Sequence, residues 1–172
     1  APNTLIDPVV LGLPGALPVM NRAAVEMSML VGTALGCTIA AQSKWDRKSY
    51  FYPDLPKNYQ ISQYQLPLCF DGSVELPVIG SDGKIDWDRT AAEERPHKRI
   101  GIIRAHLEED VGKNNHFDRY SGVDFNRAGV PLLEIVSEPD LTGSDMAYAY
   151  LRALTDILVR GGISDCDLEK GM

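Results

Sequence analysis

The stretch from Ile100 to Asp110 constrains the fold of this chain more than any other. Side chains of a strand alternate between two faces. Ile100, Ile102, Arg104, His106, Glu108 and Asp110 therefore share one face, and Ile103, Ala105 and Leu107 the other. The first face begins apolar and ends in a base, an imidazole and two acids. A second apolar run, 131–138, sets Glu134 in mid-strand. Burying an unpaired carboxylate is costly, so Glu134 requires a strong partner. A hard divalent cation held between the two strands supplies one, because Mg²⁺ prefers oxygen ligands from one or two carboxylates plus substrate phosphates. A buried ion pair with Arg104 or Arg127 is the alternative for Glu134. A solvated strand end is the alternative for His106, Glu108 and Glu109.

Periodicity and punctuation give the remaining elements. Residues 1–20 are broken by Pro2, Pro8, Gly12, Pro14, Gly15 and Pro18 and read as a turn-rich entry loop. Asn21 caps a helix running to about Leu35, stopped by Gly36. Its apolar positions are Ala23, Met27, Leu30, Val31, Ala34 and Leu35, and its few charges predict burial on most sides. Residues 37–41 read as a short strand, while 45–59 is neither helical nor alternating. Segments 60–63 and 66–70 read as extended, and Asp71-Gly72 as a hairpin turn into 74–79. Residues 80–97 form a polar surface loop, 98–109 a strand, and 112–116 a polar loop. After the strand at 131–138, Thr142 or Ser144 caps a helix to Arg160. Met146, Tyr150, Ala153, Leu154, Ile157 and Leu158 form its inward stripe, and Gly161-Gly162 ends it. Two helices among hairpin-like strands predict an α+β fold with a mainly antiparallel sheet on which both helices pack.

At 172 residues the chain has the size of one substantial domain, and it reads as a single domain over 1–172. No apolar run is long enough to span a membrane. The opening Ala1-Pro2-Asn3-Thr4 has no secretory character and suggests a fragment or processed chain. Cys37, Cys69 and Cys166 are odd in number and widely spaced, which fits reduced thiols in a cytoplasmic protein. A net charge of −7 without a basic block argues against duplex DNA binding. It leaves room for a local contact with RNA ends.

The segment 45–59 mixes Arg47, Lys48 and Lys57 with Tyr50, Tyr52 and Tyr59. A solvated basic loop is the ordinary outcome for such residues. Bases beside aromatics also suit phosphate contact and base stacking. Gly12-Leu13-Pro14-Gly15 is a turn and not a phosphate-binding loop, since no Gly-Lys-Ser/Thr follows.

Several longer stretches carry a family resemblance. Asn3-Thr4, the run 11–18, the run 50–57 (YFYPDLPK), the run 106–113 (HLEEDVGK), the run 123–132 (VDFNRAGVPL) and the run 134–140 (EIVSEPD) closely resemble the GatB family of aspartyl/glutamyl-tRNA amidotransferase subunits. The resemblance covers essentially the whole chain. It implies a catalytic (cradle) domain with a fold like glutamine synthetase and guanido kinases, taken as a fragment whose helical and tail domains are absent. It implies use of ATP and Mg²⁺ to phosphorylate the side-chain carboxylate of misacylated Glu-tRNA(Gln) or Asp-tRNA(Asn). Ammonia released from glutamine then forms the amide. The implied partners are the amidase subunit GatA, the small subunit GatC and the tRNA acceptor end, with no membrane.

By match to the family motifs, Glu108 and Glu134 are the expected Mg²⁺ ligands, with His106 a ligand or a partner of one. Lys48 and Lys57 are the expected phosphate contacts, with Tyr52 beside the nucleotide, and Arg127 orients a carboxylate or holds Glu134. Many relatives carry paired cysteines, half of a zinc site, where this chain has Asp7 and Val10, so no zinc is expected. An incomplete metal shell would leave the isolated fragment inactive. The competing class is a non-catalytic tRNA-binding scaffold of the same complex.

Overall fold

The computed structural model describes residues 1–77 and 97–168. In chain order the elements are α1 (Arg22–Ala34), β1 (Thr38–Ile39), β2 (Asp46–Ser49), β3 (Tyr59–Ser62), β4 (Cys69–Pro77), β5 (His97–Glu109), β6 (Lys113–His116), β7 (Ser121–Asp124), β8 (Pro131–Ser137) and α2 (Ser144–Arg160). One sheet has the order β1-β4-β5-β8, and β2-β3 and β6-β7 form two-stranded sheets. The β1–β4, β2–β3, β4–β5 and β6–β7 pairings are all antiparallel. The fold is α+β, as the element pattern predicted. None of the described helices is long and apolar enough to cross a membrane.

The chain forms two compact units. The first comprises Ala1–Glu26, Ala41–Leu68 and His106–Glu134. The second comprises Met27–Ala40 and the described parts of Cys69–Ala105 and Ile135–Met172. β5 passes from the second unit into the first at His106, and β8 leaves the first after Glu134.

In the second unit the core is apolar, with Leu35, Leu76, Ile100 and Ala105 each at most 1% exposed. Asn21 caps α1 as expected, its Oδ1 accepting from Ala23 N at 3.0 Å, and Gly36 ends the helix at φ +64°. The buried face, however, is Ser28, Val31, Gly32 and Leu35. Met27 and Leu30 are 46% and 51% exposed, so the helix is not buried on most sides. Close approach explains the change of phase. A Cβ on Gly32 would lie 2.3 Å from Cys69 Sγ, and that thiol donates to Ser28 O at 3.7 Å. Small residues allow this contact, and a count of large apolar ones misses it.

Asp71-Gly72 is not a hairpin turn. It lies inside β4, which keeps one register against β5 from Cys69↔Ala105 to Pro77↔His97. Asp71 takes φ +56°. Gly72 is needed for closeness, since a Cβ there would lie 2.4 Å from Cys37 Sγ and 2.7 Å from Leu35 O. Ser73 N donates to that same Leu35 O at 2.8 Å. Against β4 packs α2, with Ala149 and Tyr150 buried. Its N-cap is Gly143, without a side-chain cap bond, so neither Thr142 nor Ser144 fills that role. The surface loop expected over 80–97 lies outside the described residues, apart from His97, which opens β5.

The first unit corrects two loop expectations. Within 45–59, Asp46–Ser49 is a strand that pairs with Tyr59–Ser62. The polar stretch at 113–116 is likewise a strand, paired with Ser121–Asp124. Neither shows apolar alternation, because neither has a fully apolar face to bury. The entry segment is anchored by side chains. Phe125 N donates to Asn3 Oδ1 at 2.8 Å, and Thr4 N and Leu5 N donate to Asn126 Oδ1 at 2.7 and 2.8 Å. Backbone hydrogen bonds from Asn126 and Asn3 hold the Asp124 carboxyl below its usual range. The Asn3-Thr4 and 123–126 motifs are thus one structural joint.

Candidate functional site

The polar end of β5 is buried. His106, Glu108 and Glu109 are 3%, 8% and 7% exposed, which removes the solvated-strand-end alternative. Alternation puts His106 and Glu108 on one face, and β8, the hydrogen-bonded neighbour of β5, brings Glu134 to the same place. His106 Nε2 lies 3.7 Å from Glu108 Oε2 and 3.9 Å from Glu134 Oε2. These separations are too long for hydrogen bonds. The ligand atoms of all three residues lie within 4.8 Å of one another. One expectation fails: the Glu134 side chain is 47% exposed and not buried. Its strand is the last of the sheet, and Leu132 on it is 38% exposed, so the apolar run did not imply an interior position.

Burial pushes the Glu108 carboxyl up, but the adjacent His106 ring, the Ser62 hydrogen bond and the charge of Lys48 outweigh it and hold it below its ordinary value. Ser62 Oγ donates to Glu108 Oε2 at 2.9 Å. Lys48 itself sits exposed on β2, in register with Gln60.

Lys57 is placed differently. Its side chain is 4% exposed and ion-paired with Glu109, with the ammonium 4.8 Å from the Tyr59 ring centroid. Glu109 Oε1 also accepts from Ile61 N at 2.8 Å. The expected phosphate contact by Lys57 therefore requires this pair to open. Arg127 pairs through its Nε with Asp110 Oδ2 at 2.8 Å, which matches the carboxylate-orienting role expected of it. Tyr52 is 52% exposed and tilts against Tyr50 with ring centroids 6.1 Å apart. Burial, then the charge and hydrogen bond of Asp54, raise the Tyr50 phenol.

Sequence reasoning passed over Gln60, Ser62, Gln63 and Asp54, all buried. The available signal was a strand whose inward positions are amides and hydroxyls, a composition that makes sense only opposite polar groups.

The donor set can be tested against a divalent cation. Two carboxylates suit Mg²⁺ or Mn²⁺, and an imidazole extends the set toward softer metals. Bonds of about 2.0–2.1 Å require the most distant donors to draw in slightly. His106 Nδ1 is buried without a hydrogen-bond partner, so Nε2 is the nitrogen turned to the carboxylates. The residues fit one cation that keeps other positions for water and phosphate.

Fold and cluster together define an α+β domain with mainly antiparallel sheets and a carboxylate–imidazole site where the polar end of β5 meets Glu134 of its neighbour β8. The chain belongs to the GatB/GatE catalytic domain family, whose model matches residues 1–172. It is 56% identical over 171 residues to the GatB-type subunit of the aspartyl/glutamyl-tRNA(Asn/Gln) amidotransferase of Opitutus terrae, covering 99% of this chain and 34% of that protein. The protein of the same name from Methylacidiphilum infernorum is 55% identical over 170 residues, again 99% of this chain and 34% of the relative. The one from Rhodopirellula baltica is 51% identical over 175 residues, 99% of this chain and 32% of the relative. The chain spans about a third of the length of these relatives.

Proposed function

We propose that this domain carries the ATP- and Mg²⁺-dependent step of a tRNA-dependent amidotransferase. The substrate is the side-chain carboxylate of glutamate on tRNA(Gln) or aspartate on tRNA(Asn). A carboxylate is a poor acyl donor, and phosphorylation supplies a leaving group. The carboxylate oxygen attacks the γ-phosphorus and ADP departs. Ammonia from glutamine then attacks the acyl carbon, and phosphate leaves with the C–O electron pair as nitrogen loses a proton. The amidase subunit GatA would supply that ammonia, with GatC as the third subunit, in the cytoplasm. The reading includes a glutamine synthetase/guanido kinase-like architecture for the sheet.

The observation that supports this reading is the convergence of His106, Glu108 and Glu134 within 4.8 Å in a chain of this family. Phosphoryl transfer is catalysed mainly by positioning and by charge neutralisation. Bound here, Mg²⁺ would neutralise phosphate charge. Glu108 and Glu134 would hold it, with His106 as the third donor. Lys48 contacts a phosphate from the exposed side, and Tyr52 offers a ring to the nucleotide. Lys57 joins only when released by Glu109, and Arg127 orients Asp110. Structural zinc has no place in this reading, because Asp7 Oδ1 already accepts from Val9 N and Val10 N at 2.7 and 2.9 Å and Val10 offers no ligand.

Glu134→Gln keeps the shape and removes the charge of an exposed side chain. In the full-length subunit within its complex, the variant should unfold at the wild-type urea concentration yet lose Mg²⁺-dependent phosphoryl transfer. Phosphoryl transfer at the wild-type rate would refute the assignment.

A further inference from the structure

β3 and the residue after it meet the end of β5 through hydrogen bonds that run residue by residue in reverse order. Gln60 Nε2 donates to Glu109 O at 2.7 Å, and Ile61 N donates to Glu109 Oε1 at 2.8 Å. Ser62 Oγ donates to Glu108 Oε2 at 2.9 Å, and Leu107 N donates to Gln63 Oε1 at 3.1 Å. Gln63, 2% exposed, is fully used: its Nε2 donates to Lys44 O and Leu66 O, and its Oε1 also accepts from Leu68 N, each at 3.3 Å. The backbone between His106 and Glu108 is therefore pinned through Leu107.

A carboxylate on a pinned backbone still turns freely, because its terminal torsion has a broad profile. The Ser62 hydroxyl is the group that stops this rotation. We propose that Ser62 is a positioning residue of the cation site: it fixes the rotation of the Glu108 carboxylate so that Oε2 faces His106 Nε2, on a backbone that Gln63 holds still. The proposal rests on the cation reading given above. Ser62 touches neither cation nor substrate. It acts through Glu108, as outer partners of metal ligands do when they set ligand orientation.

Mn²⁺ binding to the full-length protein, followed by electron paramagnetic resonance, tests this without an activity assay. Melting temperatures are recorded beside it. The set is wild type, Glu108→Gln, Ser62→Ala and Ser62→Thr. Ser62→Ala should weaken Mn²⁺ binding by roughly 10–100-fold while the protein stays folded at the assay temperature, and Ser62→Thr, which restores the hydroxyl, should recover most of it. Wild-type affinity in Ser62→Ala overturns the proposal and leaves the cation reading intact. Affinity lost because Ser62→Ala is unfolded at the assay temperature marks Ser62 as structural and also overturns it. A wild-type protein that binds no Mn²⁺, or binds it no better than Glu108→Gln does, removes the cation reading and this proposal with it.

Discussion

The two units bury different chemistry. In the second, the core is Val31, Leu35, Leu76, Ile100 and Ile102, and Ser28 is the one buried polar side chain among the described residues. In the first, Asp54, Gln60, Gln63, His106, Glu108 and Glu109 are buried beside a smaller apolar set such as Leu55 and Leu107. β5 contributes to both: its buried side chains are Ile100, Ile102 and Ala105 in the second unit, and His106, Leu107, Glu108 and Glu109 in the first. Apolar burial is non-directional and tolerates some repacking. Buried polar groups each need a partner, and one lost partner is expensive. The second unit is thus built for stability, and the first holds charged groups in fixed geometry at a cost in stability.

The largest expected effect breaks that polar arrangement. Lys57→Met leaves Glu109 as an uncompensated buried charge, which costs about 3–5 kcal/mol in urea unfolding. The double variant Lys57→Met/Glu109→Leu should recover only part, because Ile61 N also loses its acceptor. Full stability in the single variant would show the pair to be worth nothing to the fold.

Ile100→Ala probes the apolar side and should cost about 2–5 kcal/mol, since Ile100 is 0% exposed. Its folded fraction should bind Mn²⁺ like wild type. A parallel loss of cation affinity would mean that the division between the two cores has no functional content.

Lys48→Ala removes an exposed charge. Stability should move by less than about 0.5 kcal/mol, while the ATP-dependent step in the full complex falls and glutamine hydrolysis by the partner subunit persists. Unchanged transamidation would remove Lys48 from the mechanism.

The smallest effect is alkaline. Burial, with Cys37 adding, pushes the Cys69 thiol from 9.0 up to about 11. The raised value means that the folded state favours the neutral thiol. Its contribution to stability is complete below pH 9 and declines as pH rises toward 11. At pH 8 the native protein should leave Cys69 unmodified by iodoacetamide, because the thiolate is the nucleophile. Labelling of Cys69 at the rate of the unfolded chain would contradict this.

The sequence by itself determined what depends on neighbours along the chain. Strand alternation placed His106 and Glu108 on one face, Asn21 and Gly36 bounded α1, and Gly161-Gly162 ended α2. The apolar run around Glu134 and the family motifs pointed to it as a partner of Glu108 across a cation. Only the tertiary structure decided that β8 lies next to β5, that the polar end of β5 is buried while Glu134 is half exposed, and that Lys57 belongs to Glu109 and Arg127 to Asp110. It also turned Asp71-Gly72 from a turn into a close approach and gave Gln60, Ser62 and Gln63 their partners. The physical reason is common to these cases. Backbone periodicity and capping are local, set within a few residues, whereas strand pairing, burial and the choice of a polar partner are settled between residues far apart along the chain, such as Ser62 and Glu108. Nothing in the local pattern of either partner specifies the other.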